Sequence, residues 1–370
     1  MRVGIVGGGQ LGLMLGEAAA ALGIDCVFLD PSPSPPAALV GEVVHAGFDD
    51  ADALRRLAAD VDVLTYEFEN VPVTALTGLG RDVRIYPPPE ALACAQDRLS
   101  EKRLFDALDI PVPAYRRIDA PGDLDAAIDD LGLPLVVKTR RFGYDGKGQT
   151  VVHDAGDAGQ AWQALGGGAA IAEAWVAYDR ELSIIGARDP AGNIALWPVT
   201  RNEHADGILR TSRAPVDDAG PRRQAERHVR ALLEHFGYVG VIALELFVVG
   251  ELVLANEFAP RVHNSGHWTI EGAATSQFTN HLLTVTGRAP ASTAARAHAG
   301  MLNLIGDIPD AVRDRLGDGC FLHDYHKSPR PGRKLGHVTV LADSAAARDA
   351  RLAEFGACVT GSTRATGQST

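Results

Sequence analysis

The sequence predicts an α/β protein of two or three domains that opens with a parallel sheet flanked by helices. Three observations carry this. The chain has 370 residues, and an ordinary domain holds roughly 100–200. Near the N-terminus, short apolar runs alternate with helical stretches, the pattern of a parallel sheet covered on both faces. Farther along, apolar runs come in pairs separated by short turns, the pattern of antiparallel hairpins.

The elements follow in order. Arg2–Val6 reads as a buried strand, Leu11–Leu22 as a helix and Cys26–Leu29 as a second strand that Asp30 ends. The Pro-rich run Pro31–Pro36 breaks the chain. Asp50–Ala59 is a short amphipathic helix before a strand at Val61–Tyr66, and Tyr86-Pro87-Pro88-Pro89 closes a first domain, 1–95. A second region, 96–290, begins with a charged helix at Gln96–Leu108. Within it, a lid at about 112–176 holds strands at Pro134–Thr139, Gln149–Val152 and Ala169–Val176, the last preceded by Gly166-Gly167-Gly168. A hairpin turns at Pro190-Ala191-Gly192, Pro221–Phe236 is a long helix, Val239–Phe258 reads as two strands joined at Gly250, and Ala273–Thr286 looks helical. A small β-rich region, 291–360, has strands near Leu302–Ile305 and His337–Ala342, and 361–370 reads as a frayed tail.

Composition excludes some functions. Thirty-five basic against 47 acidic residues give a net charge of -12, which argues against a general nucleic-acid or acidic-membrane binder. One small basic pocket remains compatible. Four cysteines without CxxC pairing imply neither a zinc site nor a disulfide framework, and favour a reducing cytoplasm. Gly7-Gly8-Gly9-Gln10 and Glu17 interrupt the N-terminal apolar stretch, against a secretory signal. Glu245, Glu251 and Glu257 lie within the apolar span Val239–Phe258 and make it too costly for a bilayer, so the sequence predicts a soluble chain.

Three motifs carry chemistry. Gly7-Gly8-Gly9-Gln10-Leu11-Gly12 fits G-x-G-x-x-G between a strand and a helix, with Asp30 closing the next strand. Such a turn admits NAD, another phosphorylated ligand, or a purely structural role. The second motif is Lys138, at the end of an apolar strand, followed by a loop with Gly143, Gly146 and Gly148. A partly desolvated lysine needs an anion, and a glycine loop can lay its N–H groups against phosphate oxygens. It lacks the Gly-Lys-[Ser/Thr] of a Walker A loop. The third is the pair Glu245 and Glu257, whose midpoint is residue 251. A hairpin with an odd loop centred on Glu251 would set them opposite one another on one face. Paired carboxylates repel unless one is protonated or a cation lies between them, and oxygen ligands select Mg²⁺, with Mn²⁺ as the alternative. A solvated strand face is the plainer reading. Taken together, lysine, glycine flap and carboxylate pair describe a nucleoside-triphosphate site.

These motifs, with Thr65-Tyr-Glu-Phe-Glu-Asn-Val71, Gln96-Asp-Arg98 and Lys102, Gly143-Tyr-Asp-Gly-Lys-Gly-Gln149, Asn256-Glu-Phe-Ala-Pro-Arg-Val-His-Asn-Ser-Gly-His-Trp268 and Gly332-Arg-Lys-Leu-Gly-His337, make the chain resemble the ATP-grasp superfamily. Within it, the chain resembles the family that carboxylates 5-aminoimidazole ribonucleotide in purine synthesis. The resemblance implies an ATP-grasp fold: a Rossmann-like N-terminal (pre-ATP-grasp) domain, a mobile lid and a C-terminal region. It also implies ATP as co-substrate, bicarbonate and 5-aminoimidazole ribonucleotide as partners, carboxyphosphate as intermediate, and a homodimer. Glu245 and Glu257 are then the metal ligands. Arg98, Lys138, Gly143, Gly146, Gly148, Gln149, Glu173, Val176, Glu181, His204 and Asn256 are expected around ATP, with Glu173 and Val176 at the adenine edge.

Catalytic roles fall to six residues. Asp145 is expected to take the amine proton, with Tyr144 orienting bicarbonate or the product carboxyl. Arg261 suits an oxyanion through its planar fork, and Asn264 and Ser265 are expected to donate to the remaining oxygens. His263 either donates, handles a proton, or only caps its loop. The ribonucleotide is expected to meet Glu67, the backbone of Gly8, Gly9, Gln10 and Leu11, and the basic cluster Lys327, Arg330, Arg333 and Lys334. The alternatives are another ATP-grasp carboxylate–amine ligase or formyl-transferring enzyme, an NAD-dependent oxidoreductase resting on the first glycine motif, and a nucleotide-binding regulator without catalysis.

Overall fold

The computed structural model describes residues 1–143 and 146–365. Among these residues the strands form three sheets. In the first, β1 (Arg2–Val6), β2 (Asp25–Leu29), β3 (Glu42–Val44) and β4 (Val63–Tyr66) run parallel in the order β3-β2-β1-β4. α1 (Gln10–Leu22) links β1 to β2, and α2 (Ala51–Asp60) precedes β4. Asp50 caps α2, accepting the N–H groups of Asp52 at 3.0 Å and Ala53 at 2.9 Å. α1 stops at Gly23, which adopts a left-handed φ of 65°. α3 (Val73–Thr77) and α4 (Pro89–Ala95) finish this region, and α5 (Arg98–Ala107) leads out of it.

The second sheet belongs to the expected lid. β5 (Tyr115–Ile118), β6 (Leu135–Thr139), β7 (Gln149–Val152) and β8 (Ala170–Ala174) pair antiparallel in the order β5-β8-β6-β7. α6 (Pro121–Leu131) and α7 (Ala158–Ala164) cover it, and Ile118, Leu124, Leu135, Val137 and Trp162 form its own small core. A core of this size, separate from the rest, lets the region fold as a unit.

The third sheet has nine strands. They are β9 (Arg180–Arg188), β10 (Ile194–Leu196), β11 (Thr200–Ala205), β12 (Ile208–Ala214), β13 (Gly240–Val249), β14 (Leu252–Ala259), β15 (His298–Ile305), β16 (Cys320–Asp324) and β17 (Lys334–Ala342). The order is β14-β13-β9-β11-β12-β15-β17-β16, with β10 also on β9. The C-terminal strands therefore extend the central sheet through the β12–β15 pairing. α8 (Ala219–His235) buries Ala225, Val229, Leu232 and Leu233 in a core shared with Ile184, Ile242 and Leu244 of the sheet. α9 (Thr269–Gly272), α10 (Gln277–Val285), α11 (Asp310–Arg313) and α12 (Ala345–Ala365) complete the fold.

Differences from expectation have local causes. β11, β12 and β16 carry charged or small residues and lack a strong apolar signal; pairing with neighbours makes them strands. The helix expected from Ala273 starts at Gln277, where the Ser276 hydroxyl accepts the Thr279 N–H at 3.0 Å. Gly361–Ala365, expected to fray, continue α12. α1 and α10 share a core of Leu15, Phe28, Trp268 and Phe278, which joins the first domain to the central sheet. No helix among the described residues is long and apolar enough to cross a membrane.

Candidate active site

The site is built on the hairpin of β13 and β14. Val249 pairs with Leu252 across the two-residue turn Gly250-Glu251, and Gly250 takes φ 56°. Continued without interruption, that register would face Glu245 with Asn256. A β-bulge intervenes: Leu246 faces Ala255, Asn256 is the extra residue, and Glu245 faces Glu257. The expected pairing is present, but its cause is corrected. The turn is even, not an odd loop centred on Glu251, and the bulge supplies the missing step. Directly opposed residues project on one face. Among the described residues the buried Oδ1 of Asn256, the extra residue of the bulge, has no hydrogen-bond partner.

Each carboxylate has its own support. Glu257 Oε2 accepts a hydrogen bond from Arg98 Nη1 at 2.7 Å. Burial would raise the Glu257 carboxyl, but the Arg98 charge outweighs it and holds the group down at about 2. Glu245 Oε1 lies 2.9 Å from His263 Nε2. The other ring nitrogen, Nδ1, accepts from the Ser265 N–H at 3.3 Å and lies 2.9 Å from Ser265 Oγ, which leaves Nε2–H to donate to Glu245. The chain of hydroxyls continues inward: Ser183 donates to Ser265 at 2.8 Å, and Asn202 donates to Ser183 at 2.9 Å.

This geometry changes two expected roles. Ser265 is fully buried and its hydroxyl is committed to His263 and Ser183, so it holds the histidine in place and does not face a substrate. Asn264 exchanges hydrogen bonds with Asn303, at 3.0 and 2.7 Å, which ties its amide to β15. His263 caps its loop, one of the roles open to it, and also reaches Glu245. The buried Gln277 grips the His263 peptide from both sides, accepting its N–H at 2.9 Å and donating to its carbonyl at 2.7 Å. Arg261 meets Glu69 of the first domain at 2.9 Å and its neighbour's carbonyl, Val262 O, at 2.8 Å.

Lys138 ends β6 as expected and donates to Glu173 Oε2 at 2.9 Å. A second buried lysine, Lys102, lies 3.5 Å from the same oxygen. Burial would raise the Glu173 carboxyl, but Lys102 and Lys138 outweigh it and bring it to about 2. Glu173, expected at the adenine edge, thus turns its carboxylate onto the lysines. Breaking such a buried pair from one side costs roughly 3–5 kcal/mol. Val176 is half-buried between β8 and β9. Glu181 accepts from Tyr178 at 2.6 Å and pairs with His204 Nδ1. Burial opposes the charge on both, yet their mutual attraction prevails: Glu181 is lowered and His204 raised.

The flap connects these parts. Gln149 pairs with Lys138 in the lid sheet. A Cβ on Gly143 would lie 3.4 Å from Arg98 Nη2, and one on Gly146 would lie 3.0 Å from the Cα of Gly207. The flap stem therefore borders the arginine that holds Glu257, and its bend rests on the β11–β12 turn. Tyr144 and Asp145 lie outside the described residues.

On the expected ribonucleotide side, two of the backbone donors expected to meet the substrate are taken by carboxylates of the protein itself. Gly8 N–H donates to Asp30 Oδ2 at 2.8 Å and Gly9 N–H to Glu67 Oε1 at 2.6 Å. Lys327 donates to the Gln10 side chain. Leu11 is buried in the first turn of α1. Burial pushes Glu67 up to about 7 against the Gly9 bond and the charges of Arg261 and Lys327. Lys327 is pushed down to about 8, first by burial and then by Arg333, with Lys334 and Arg330 adding to it. The four basic residues thus share one cluster; Arg333 also holds the loop, donating to Ser328 O at 3.1 Å.

Two surface cavities lie apart from these residues, about 450 Å³ beside Arg103 and Tyr115 and about 400 Å³ beside Arg2 and Cys26. The charged groups gather where the lid, the hairpin and the first domain meet, through Lys138–Glu173, Arg98–Glu257 and Arg261–Glu69. Sequence reasoning assigned no role to Glu69, Glu101, Lys102, Gln277 or Asn303. Lys102 and Glu69 had a signal, their places in the motifs with Gln96-Asp-Arg98 and Thr65–Val71; Glu101, Gln277 and Asn303 carry none, because their partners are distant in the chain.

Comparison with known proteins shows the family to which the chain belongs. The ATP-grasp domain model matches residues 103–278, the ribonucleotide synthetase preATP-grasp domain 1–96, and the phosphoribosylaminoimidazole carboxylase C-terminal domain 299–351. The N5-carboxyaminoimidazole ribonucleotide synthase of Pseudomonas aeruginosa is 44% identical over 361 residues, covering 97% of this chain and 99% of that protein. The crystal structure of the synthetase from Thermus thermophilus superposes with a TM-score of 0.92 at 46% identity, covering 97% of this chain and 98% of the other. The synthase of Aspergillus clavatus, solved with ADP and 5-aminoimidazole ribonucleotide, gives 0.90 at 30% identity, covering 97% and 98%. With its hairpin, lid and first domain arranged as described, the chain belongs to the N5-carboxyaminoimidazole ribonucleotide synthase family of ATP-grasp ligases.

Proposed function

We propose that this chain carboxylates the exocyclic amine of 5-aminoimidazole ribonucleotide with bicarbonate and ATP, giving 5-(carboxyamino)imidazole ribonucleotide, ADP and phosphate. The observation that carries this is the bulged pairing of Glu245 with Glu257 beside Arg98, together with the Lys327–Gln10 junction on the acceptor side. The Aspergillus relative, solved with ADP and the same acceptor, supports it.

The residues fit a hard divalent cation: two opposed carboxylates and the unpartnered Asn256 Oδ1 are all oxygen donors. Mg²⁺, or Mn²⁺ in its place, would neutralise charge on the triphosphate tail. Arg98 and Lys138 add fixed positive charge where the phosphoryl group transfers. A bicarbonate oxygen attacks the γ-phosphorus, the bond to ADP breaks, and carboxyphosphate forms. Arg261, braced by Glu69, holds the carboxylate oxygens. Asn264, Ser265 and Gln277 set that loop. The amine nitrogen then attacks the carboxyl carbon, the bond to phosphate breaks, and Asp145 takes the amine proton while Tyr144 orients the carboxyl. The Gly143–Gly148 flap excludes water from carboxyphosphate. Val176, Glu181 and His204 line the nucleoside, and the acceptor phosphate sits between the start of α1 and Lys327, Arg330, Arg333 and Lys334, with Glu67 facing the rest of the molecule.

The functional regions are 1–95 for the acceptor, 96–290 for ATP with its lid, and 291–360 for the phosphate clamp. The enzyme works in the cytoplasm as a homodimer. An NAD-dependent reading fits less well, because it leaves the Glu245–Glu257 pair and the glycine flap without a role. A coupled ADP assay tests the proposal: turnover requires bicarbonate, Mg²⁺ and 5-aminoimidazole ribonucleotide together. Equal turnover with a different amine or carboxylate acceptor would overturn it.

A further inference from the structure

The bulge at Asn256 does more than step the register. A bulged edge strand leaves backbone groups without ladder partners, and β14 is the edge of its sheet. Helix α5 covers that edge with side chains. Lys102 Nζ donates to Asn256 O at 2.7 Å. Glu101 Oε1 accepts the Phe258 N–H at 2.7 Å. The Pro111 carbonyl accepts the Ala255 N–H at 2.7 Å. The two groups from α5 therefore grip the strand on either side of Glu257, one residue before and one after. Both are buried, Glu101 to 2% and Lys102 to 1% exposure.

We infer that Glu101 and Lys102 are positioning residues for the metal carboxylate: together they pin the bulge and so keep Glu257 in register with Glu245. Neither meets a substrate. They act by satisfying the Asn256 carbonyl and the Phe258 N–H. With that clamp lost, the strand can relax to the uninterrupted register set by the turn, in which Asn256 faces Glu245. A one-residue slip carries a side chain to the other face. Only one carboxylate would then remain for the cation. Lys102 also touches Glu173, so its removal disturbs Lys138 as well; Glu101 contacts the strand and offers the cleaner test.

The inference rests on the metal role proposed for Glu257, and the experiment separates the two. Mn²⁺ binding to the full-length chain with saturating ADP is read by electron paramagnetic resonance, beside KM values for ATP and 5-aminoimidazole ribonucleotide. Glu257→Gln is the control for the metal site. Glu101→Leu removes the acceptor while keeping the bulk, and Glu101→Gln restores an acceptor oxygen. The expected result is Mn²⁺ affinity at least ~10-fold weaker in Glu101→Leu and in Lys102→Met, affinity within ~3-fold of wild type in Glu101→Gln, and a KM for the ribonucleotide within ~2-fold throughout. Should Lys102→Met fail to fold, the Glu101 pair decides. Unchanged Mn²⁺ affinity in Glu101→Leu overturns the inference, as does equal weakening in Glu101→Gln or a matching rise in the ribonucleotide KM. Full Mn²⁺ affinity in Glu257→Gln would instead remove the metal assignment itself.

Discussion

Two glycine-rich turns, one in the first domain and one in the lid, use glycine for different reasons. In the first, between β1 and α1, Gly7 takes φ 112°, and a Cβ there would come within 2.9 Å of the Glu67 carboxylate. Gly8 and Gly9 give their N–H groups to Asp30 and Glu67. Glycine here makes room for side chains of its own domain. In the second, the lid flap, Gly146 and Gly148 take φ 75° and 72°, and their neighbours are the Asp206-Gly207 turn and Thr139. Glycine there makes a bend that rests on another strand pair. A glycine pattern says that something approaches the backbone closely; only the neighbours say what.

If the two turns serve different substrates, damage should separate accordingly. The largest effect is expected at the first. Gly7→Val combines a forbidden φ with displacement of Glu67 and should lower kcat/KM for 5-aminoimidazole ribonucleotide at least ~100-fold, with the ATP KM nearly unchanged. An equal loss on both substrates would break the contrast. Gly148→Ala forces a Cβ to 2.6 Å from Thr139 Oγ1 and should raise the ATP KM by about 10-fold while sparing the acceptor. A smaller change is expected from Lys334→Ala, which should raise the ribonucleotide KM by roughly 5-fold, more at low salt than at high salt; a salt-independent change would argue against an electrostatic role.

The smallest effect concerns pH. Burial raises Glu67 from its ordinary value near 4.5 to about 7. Between those values the folded protein keeps a proton that the unfolded chain has released, so this group's contribution is full below about 4.5 and is lost as pH rises through about 7. Glu67→Gln removes that dependence. The fall in melting temperature from pH 5 to pH 7.5 should be smaller in the variant by about 2–4 °C. Parallel melting profiles would show that the first turn is not closed by a proton-bearing carboxyl.

Much of the fold was legible in the sequence because apolar periodicity is local. The parallel first domain, the lid strands and the long helix α8 follow from runs of a few residues. The glutamate pairing was legible for the wrong reason: two positions and a turn are visible in a sequence, whereas a bulge at Asn256 depends on what covers the strand edge. The same limit applies to the loop after β14. Arg261, Asn264 and Ser265 look alike as donors, but burial and the partners Glu69, Asn303 and Ser183 come from other parts of the chain. Glu101 reads as an ordinary charged helix position and Lys102 only as part of a motif; the tertiary fold reveals that both face inward.

The hydrogen bond between Lys327 and Gln10 joins residues 317 positions apart. Synthesis makes the first glycine turn well before the basic loop. The β13–β14 hairpin emerges in between, so on the proposed assignment a growing polypeptide holds its carboxylate pair before it holds the basic loop. A product interrupted before residue 327 would therefore lack the far side of this contact even where the hairpin had formed.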